Sequence, residues 1–422
     1  MSAPFPFFFA PLEPNTTATA TRNHTHPERY DTARTGDMLA QIAQAHEEVV
    51  TSLSFSPHAP TVLCSTSGDD TAALWDYRSP SAGSAPRQMC TLRHHRGPVN
   101  HALFLADPNL LLTASDDRTL GLWDIRNSAS PLGTVTGFGE GVNKMLLLPA
   151  SPSCVPTDGK GFRVASACDD GMVYIHAVMP PEALSPAAGA PVAVLTDQFM
   201  ASTSTVNDLI LLDRCAIVTA CEDGALRTWK LNATGGEDRM LATLDEFGAP
   251  VNHVVVVPDN DWMCAHREAA GESAEEDSDH GDASAAMGGS SGRHTATGPR
   301  AELTAADGCW LLAASAENVF GVDVYRSTGQ FGEGARSFFG HSDYVRGLEF
   351  TSKSTLLTVA DDSTAIEWNL CTNEPIRQVK LHEALIMSSA LSADKTVLAT
   401  GTDTGDIRVW RLPFETECLC DH

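Results

Sequence analysis

Residues 63–76 (LCSTSGDDTAALWD), 111–124 (LLTASDDRTLGLWD), 217–230 (IVTACEDGALRTWK) and 356–369 (LLTVADDSTAIEWN) follow one pattern. A short apolar run, a small hydroxyl residue, an acidic turn and a second run ending at Trp recur with the same internal spacing. A pattern that returns along one chain specifies repeated supersecondary units, which must stack because none can bury its faces alone. With the columns set by these four stretches, three weaker copies align: VASACDDGMVYIHA (164–177), LLAASAENVFGVDV (311–324) and LATGTDTGDIRVWR (398–411). Seven units result.

The Trp column falls at 75, 123, 176, 229, 323, 368 and 410, so the spacings are 48, 53, 53, 94, 45 and 42 residues. The outlier contains residues 258–307, a run rich in Gly, Ser, Ala and acids with no apolar period. Without it the spacing is ordinary. Each unit reads as four short strands: an apolar run such as VNHALFL (99–105), the two strands of the signature, and an outer strand such as MCTLRH (89–94) in the preceding unit.

The repeats resemble those of the WD-repeat family over residues 38–412. The resemblance implies an all-β fold, a seven-bladed WD-repeat β-propeller. It also implies that in each unit a His before the first strand, a Ser or Thr, an Asp in the turn and the Trp form a hydrogen-bonded structural chain. Carried over by column, these are His46, Ser65, Asp69 and Trp75 in unit one, His95, Thr113, Asp117 and Trp123 in unit two, and His341, Thr358, Asp362 and Trp368 in unit six. Unit four keeps Thr219, Asp223 and Trp229 but has Ser202 in the His column. Unit seven keeps His382, Thr400 and Trp410, with Thr404 in the Asp column. Units three and five depart furthest: Phe138 and Phe247 stand in their His columns, His176 and Asp323 in their Trp columns.

Nothing after Trp410 reads as a fourth strand, whereas MLAQIAQ (38–44) is a strand with no unit of its own. The expectation is a propeller closed by pairing the N-terminal strand with the last blade, which removes open sheet edges. Residues 1–36 are expected to be disordered, 37–412 to form the propeller with 258–307 as a disordered acidic insertion in blade five, and 413–422 to be a C-terminal tail.

The net charge is −26, and residues 258–307, with eleven acids and three arginines, supply −8 of it. Direct binding to nucleic acid is disfavoured, since phosphate contacts need clustered positive charge. No run of ~18 apolar residues marks a membrane span. The eleven cysteines, several within expected strands (Cys64, Cys168, Cys221), read as small hydrophobes in a reducing compartment, so an intracellular location, cytoplasmic or nuclear, is expected. No cofactor or metal site is expected: Cys418, Cys420 and His422 lack a fourth ligand. No GxSxG, GxxxxGK[ST], HExxH or paired CxxC occurs, and the enzyme reading is set aside.

The expected function is that of a noncatalytic scaffold, a subunit of a larger complex that binds other proteins. The His-bearing loops share a face with Arg96, Tyr344 and Arg346, residue types that anchor interfaces. The alternative is a substrate receptor of a cullin RING ubiquitin ligase. LWDYR (74–78) and LWDIR (122–126) put Arg78 and Arg126 just past two consecutive third strands, which resembles the paired Trp-Asp-x-Arg motif that docks such receptors onto the ligase adaptor.

Overall fold

The structure, a computed structural model, describes residues 37–77, 86–149, 161–179, 192–231, 239–257, 308–326 and 328–414. Within these residues the chain forms seven antiparallel four-stranded sheets and no helix. Each sheet is a blade. The inner strands are Val50–Phe55, Val99–Phe104, Val142–Leu148, Val206–Leu211, Val251–Val256, Val345–Phe350 and Ile386–Leu391. They touch one another in a closed cycle, the seventh returning to the first, around a central channel.

Burial explains the hydropathy pattern. The second strands Val62–Ser67 and Leu110–Ser115 are buried along their whole length, because both faces of each sheet lie against a neighbouring blade. They therefore read as continuous apolar runs instead of alternating ones. The outer strand Arg87–Arg93 is mostly exposed and mostly polar.

The ring is closed by the N-terminal strand. Met38–Ile42 pairs antiparallel with Ile407–Arg411, Met38 opposite Trp410 and Ile42 opposite Ile407. Ile42 is buried among Val50, Leu63, Trp75 and Ile407, so the closing strand also packs against blade one. At the other end of the chain, Phe414 is buried beside Trp410 and Leu412, and the Arg377 guanidinium donates to its main-chain carbonyl. The packed chain thus runs two residues beyond the 412 limit expected from sequence. The expected disordered segments 1–36 and 258–307, and the tail cysteines Cys418 and Cys420 with His422, lie outside the described residues.

In six blades the hairpin between second and third strands has the same length, and the residue after the Asp column takes a left-handed conformation: Asp70, Arg118, Gly171, Gly224, Ser363 and Gly405, with φ between 66° and 83°. Blade five differs. There Ala314 pairs with Val319, five residues on, where Ala114 of blade two pairs with Leu120, six residues on. The shorter turn moves the left-handed residue to Ala316. It also shifts the column: Val322, not Asp323, stands opposite Leu311, as Trp123 stands opposite Leu111. The sequence alignment of Asp323 with the Trp column is corrected accordingly, and the buried residue at that place is Val322, which is 2% exposed.

Every inner strand carries a register irregularity after its first residue. In blades one to four the second side chain of the strand reaches the next blade. Asn100, Asn143 and Asn207 donate their amides to the carbonyls of Val142 (3.2 Å), Val206 (3.2 Å) and Val251 (3.0 Å), the first inner-strand residues of the following blades. Thr51 does the same to Val99, and Ser388, the third residue of its strand, to Val50 at 2.9 Å. These bonds stitch blade to blade along the channel.

Candidate functional site

The repeated polar columns converge between the sheets. In blade one, the Trp75 indole donates to Ser65 Oγ at 2.8 Å, Ser65 Oγ lies 2.7 Å from His46 Nε2, and His46 Nδ1 lies 3.0 Å from Asp69. Blade two repeats this with Trp123 to Thr113 (2.9 Å), His95 to Thr113 (2.7 Å) and His95 to Asp117 (3.0 Å). Blade six repeats it with Trp368 to Thr358 (2.8 Å), His341 to Thr358 (2.7 Å) and His341 to Asp362 (2.9 Å).

A neutral imidazole satisfies every atom: Nδ1–H donates to the carboxylate, and Nε2 accepts from the hydroxyl that itself accepts the indole proton. Burial holds His46 and His95 below the ordinary histidine range, against the pull of Asp69 and Asp117. Burial by itself would raise the Asp362 carboxyl. His341, the Thr364 hydroxyl and the Ser342 amide overcome this and hold it at about 2. Ser65, Thr113 and Thr358 are fully buried between His and Trp. Their hydroxyls are closed to any substrate, so an Asp–His–Ser arrangement of this kind braces the sheet and does no acyl transfer.

The degraded blades rewire the chain. In blade four Trp229 donates to Thr219 (3.0 Å), while Ser202 takes the place of His and donates to Asp223 at 2.8 Å. Arg227 adds two bonds to the same carboxylate. In blade seven Trp410 and His382 both meet Thr400, at 2.8 and 2.7 Å, but no carboxylate reaches His382, and Thr404 bonds to Thr402 instead. In blade three the Tyr174 hydroxyl takes over Asp170 at 2.8 Å. Phe138 fills the His position against His176, their ring centroids 5.1 Å apart. Ser166 Oγ and His176 Nδ1 are left buried without a partner. Phe247 packs on Phe320 in blade five.

Two of these histidines make the fold acid-sensitive. Burial, with the Arg408 charge, pushes His382 down to about 3, and burial pushes His176 down to about 4. An unfolded histidine titrates near 6.5. Below that pH the unfolded chain binds protons that the folded chain refuses. The stabilising contribution is therefore complete above pH ~6.5 and declines as the pH falls toward 4 and 3. At pH 5 each group is expected to have cost roughly 2 kcal/mol. Replacing both with Gln should remove that share of the pH dependence; urea midpoints at pH 7.5 and pH 5 that fall equally in parent and double variant would contradict it.

The His-bearing loops form one face, and its channel mouth is ringed by acids. Asp116, Asp169 and Glu222 accept from Asn100 (2.5 Å), Asn143 (2.8 Å) and Asn207 (3.1 Å), the residues that stitch the blades. Asp361 holds Arg346 through two bonds of 2.8 and 2.7 Å. A Cβ on Gly141 would sit 2.8 Å from Asp116 and 2.9 Å from Asp169, so only glycine fits between the two carboxylates. Burial raises Asp116, as does the nearby Asp169. The Val-Asn pairs at 99, 142 and 206 carry the sequence signal for this ring, and column alignment on the Trp motif alone passes over them; the same pair at 251 does not extend it, the Asn252 amide being buried without a partner.

Of the residues expected at an interface, Tyr344 is 44% exposed, with the Arg346 guanidinium 5.5 Å from its ring. Arg96 is exposed, and its main-chain amide donates to Asp117. Arg346 is committed to Asp361. Arg126 forks onto Asp124 of its own blade at 2.9 and 2.6 Å, and Arg78 lies outside the described residues. Phe339 (66% exposed) and Leu385 (44%) join Tyr344 on the His-loop face; sequence alone did not single them out. Among the described residues no helix is long and apolar enough to cross a membrane, and no group of His, Cys, Asp and Glu is placed to hold a metal ion.

Comparison with known proteins matches the WD domain, G-beta repeat, to residues 38–76, 86–124, 332–369 and 373–411. Each match begins in, or one residue before, the outer strand of one blade and ends in the third strand of the next, the offset that strand-swapped closure requires. Apoptotic protease-activating factor 1 of Rattus norvegicus is 33% identical over 78 residues, 18% of this chain and 6% of that protein. Its Homo sapiens counterpart is 30% identical over 82 residues, 19% of this chain and 7% of the other. The chain therefore matches only a small fraction of the length of these relatives. The crystal structure of the WD40 beta propeller domain of Doa1 superposes with a TM-score of 0.60 at 14% identity, covering 89% of this chain and 97% of that one, a likeness of fold alone. Seven closed four-stranded blades, with the repeat legible in four of them and its polar chain complete in three, make this chain a seven-bladed WD40-repeat β-propeller.

Proposed function

We propose that the propeller is a noncatalytic subunit that holds another protein, and that it does so on the His-loop face. The observation that carries this reading is the distribution of exposed large hydrophobic residues. Twelve occur among the described residues; ten lie on or next to outer strands, Phe339 just after that of blade five and Met200 at the end of that of blade three among them, and Tyr344 and Leu385 are the two that do not, each in a His-bearing loop, in blades six and seven. Tyr344 and Leu385 stand at equivalent places immediately before adjacent inner strands, beside an acid-ringed mouth. A partner segment with apolar side chains for these anchors and Lys or Arg for Asp116, Asp169 and Glu222 complements that surface. Arg96, on the rim, acts on encounter more than on affinity.

The test is affinity purification from the native cell with mass spectrometry. Tyr344→Ala with Leu385→Ser is expected to remove a stable set of co-purifying subunits without moving the melting temperature, while Arg96→Glu leaves the set in place. Retention by the double variant would reject this face. Adaptor and cullin peptides that vanish on Arg126→Ala would favour the ubiquitin-ligase receptor instead.

A further inference from the structure

Below the mouth, the channel holds a polar cavity of about 330 Å³, walled by inner strands from blades one, three, five, six and seven. Its ionisable walls are Lys144, His253, Arg346 and Glu349. In a chain with a net charge of −26, this cavity is lined by two permanent cations and one carboxyl group. The walls from blades one and seven add only hydroxyl and apolar groups, Ser52 and Ser54 among them.

The cationic wall is fixed from behind. Asp208 is 1% exposed and accepts the amides of Leu209 (2.8 Å) and Val254 (3.1 Å). Burial opposes its charge, but Lys144 and His253 hold it well below the usual carboxylate range. Asp208 engages His253 through Nδ1, which leaves Nε2 as the ring's other polar atom at the cavity. Lys144 Nζ stands 3.8 Å from Asp208, too far for a tight hydrogen-bonded pair, so its donors remain for the cavity. His101, buried behind Lys144, is kept neutral by burial and by that ammonium. Arg346 contributes charge, but its fork is taken by Asp361.

We propose that this channel cavity binds a small oxyanion, carried as a carboxylate or as a tetrahedral phosphate- or sulfate-like group, at Lys144 Nζ, with the Glu349 carboxyl as the opposing donor. Burial pushes Glu349 up to about 7, with His253 and Lys144 drawing it back. Below that pH its carboxyl donates to the anion; above it the carboxylate repels the anion. Affinity therefore falls as the pH rises through 7. If only the protonated form admits the ligand, the drop from pH 6 to pH 8 is about ten-fold.

Calorimetric titration of the full chain with sodium sulfate and with sodium acetate, neither of which titrates between pH 6 and 8, tests this at constant ionic strength set by sodium chloride. One anion per chain should bind, tighter at pH 6 than at pH 8. Lys144→Met is expected to weaken binding at least about ten-fold, the loss of one charge-assisted contact. Glu349→Gln is expected to retain binding and abolish the pH difference, and it carries the test should Lys144→Met fail to fold. The stronger of the two probes identifies the carboxylate or the tetrahedral group as the preferred ligand. Heats no different from chloride, binding indifferent to Lys144→Met, or a pH difference that survives in Glu349→Gln would each overturn the proposal.

Discussion

Trp123→Ala is expected to destabilise the protein by ~3–5 kcal/mol, the range for removing a fully buried aromatic side chain from a core that cannot collapse around the gap. Trp123 is completely buried, and it packs not only within blade two but against Val62, Cys64, Leu74 and Leu92 of blade one. Its loss opens a gap between sheets that are each held from both sides. It also removes the indole donor from Thr113, leaving His95 as that hydroxyl's partner. His176→Ala at the same column of blade three should cost clearly less, because the smaller ring has an unpartnered Nδ1 and gives up no hydrogen bond there. Urea denaturation of the two variants measures the difference; a Trp123→Ala variant no less stable than His176→Ala would show that the column does not brace the blades.

Deleting the closing strand is expected to have an effect of similar size by a different route. A chain beginning at Gln44 loses the pairing of Met38–Ile42 with Ile407–Arg411 and the burial of Ile42 between blades seven and one. Burial of one Ile contributes ~2 kcal/mol and each ladder hydrogen bond ~1 kcal/mol, so the expected cost is ~5 kcal/mol. The deletion also bares the edge of Ile407–Arg411, an open row of donors and acceptors that invites pairing between chains. A lower urea midpoint together with dimers or larger species in light scattering is expected. A peptide spanning residues 37–44 added in trans should reverse both. A truncated chain that stays monomeric with an unchanged midpoint would mean that the ring is held shut without this strand.

The repeat was legible because its columns obey strict chemistry. A Trp that must meet a hydroxyl ten residues earlier, and a His that must meet both that hydroxyl and a carboxylate, leave no freedom of spacing in blades one, two and six. Where the chemistry is relaxed, the alignment loses its anchor. Blade five has neither Trp nor Asp in the columns, so its turn, one residue shorter, leaves no mark in the sequence and Asp323 aligns with the place that Val322 fills. Arg126 shows a different limit. A Trp-Asp-x-Arg motif reads the same whether the guanidinium faces a partner or folds back on Asp124, since only the side-chain path separates the two. Tyr344 was picked out by its residue type, whereas Phe339 and Leu385, apolar residues in loops, carried no mark of exposure.

From the amino-acid order alone came the number of blades, the polar chains in the intact repeats and the swap of one strand between the ends, because each follows from local spacing and from the need to leave no unit's faces bare. The tertiary structure decided what lies around the axis. The stitching asparagines, the acid-ringed mouth, and a cavity lined by Lys144, His253 and Glu349 with Asp208 behind it come from residues far apart in the chain, Lys144 and Glu349 by 205 positions. Seven inner strands bring them within a few ångströms only once the ring is closed, and no pattern within a single repeat records which side chains will meet across it.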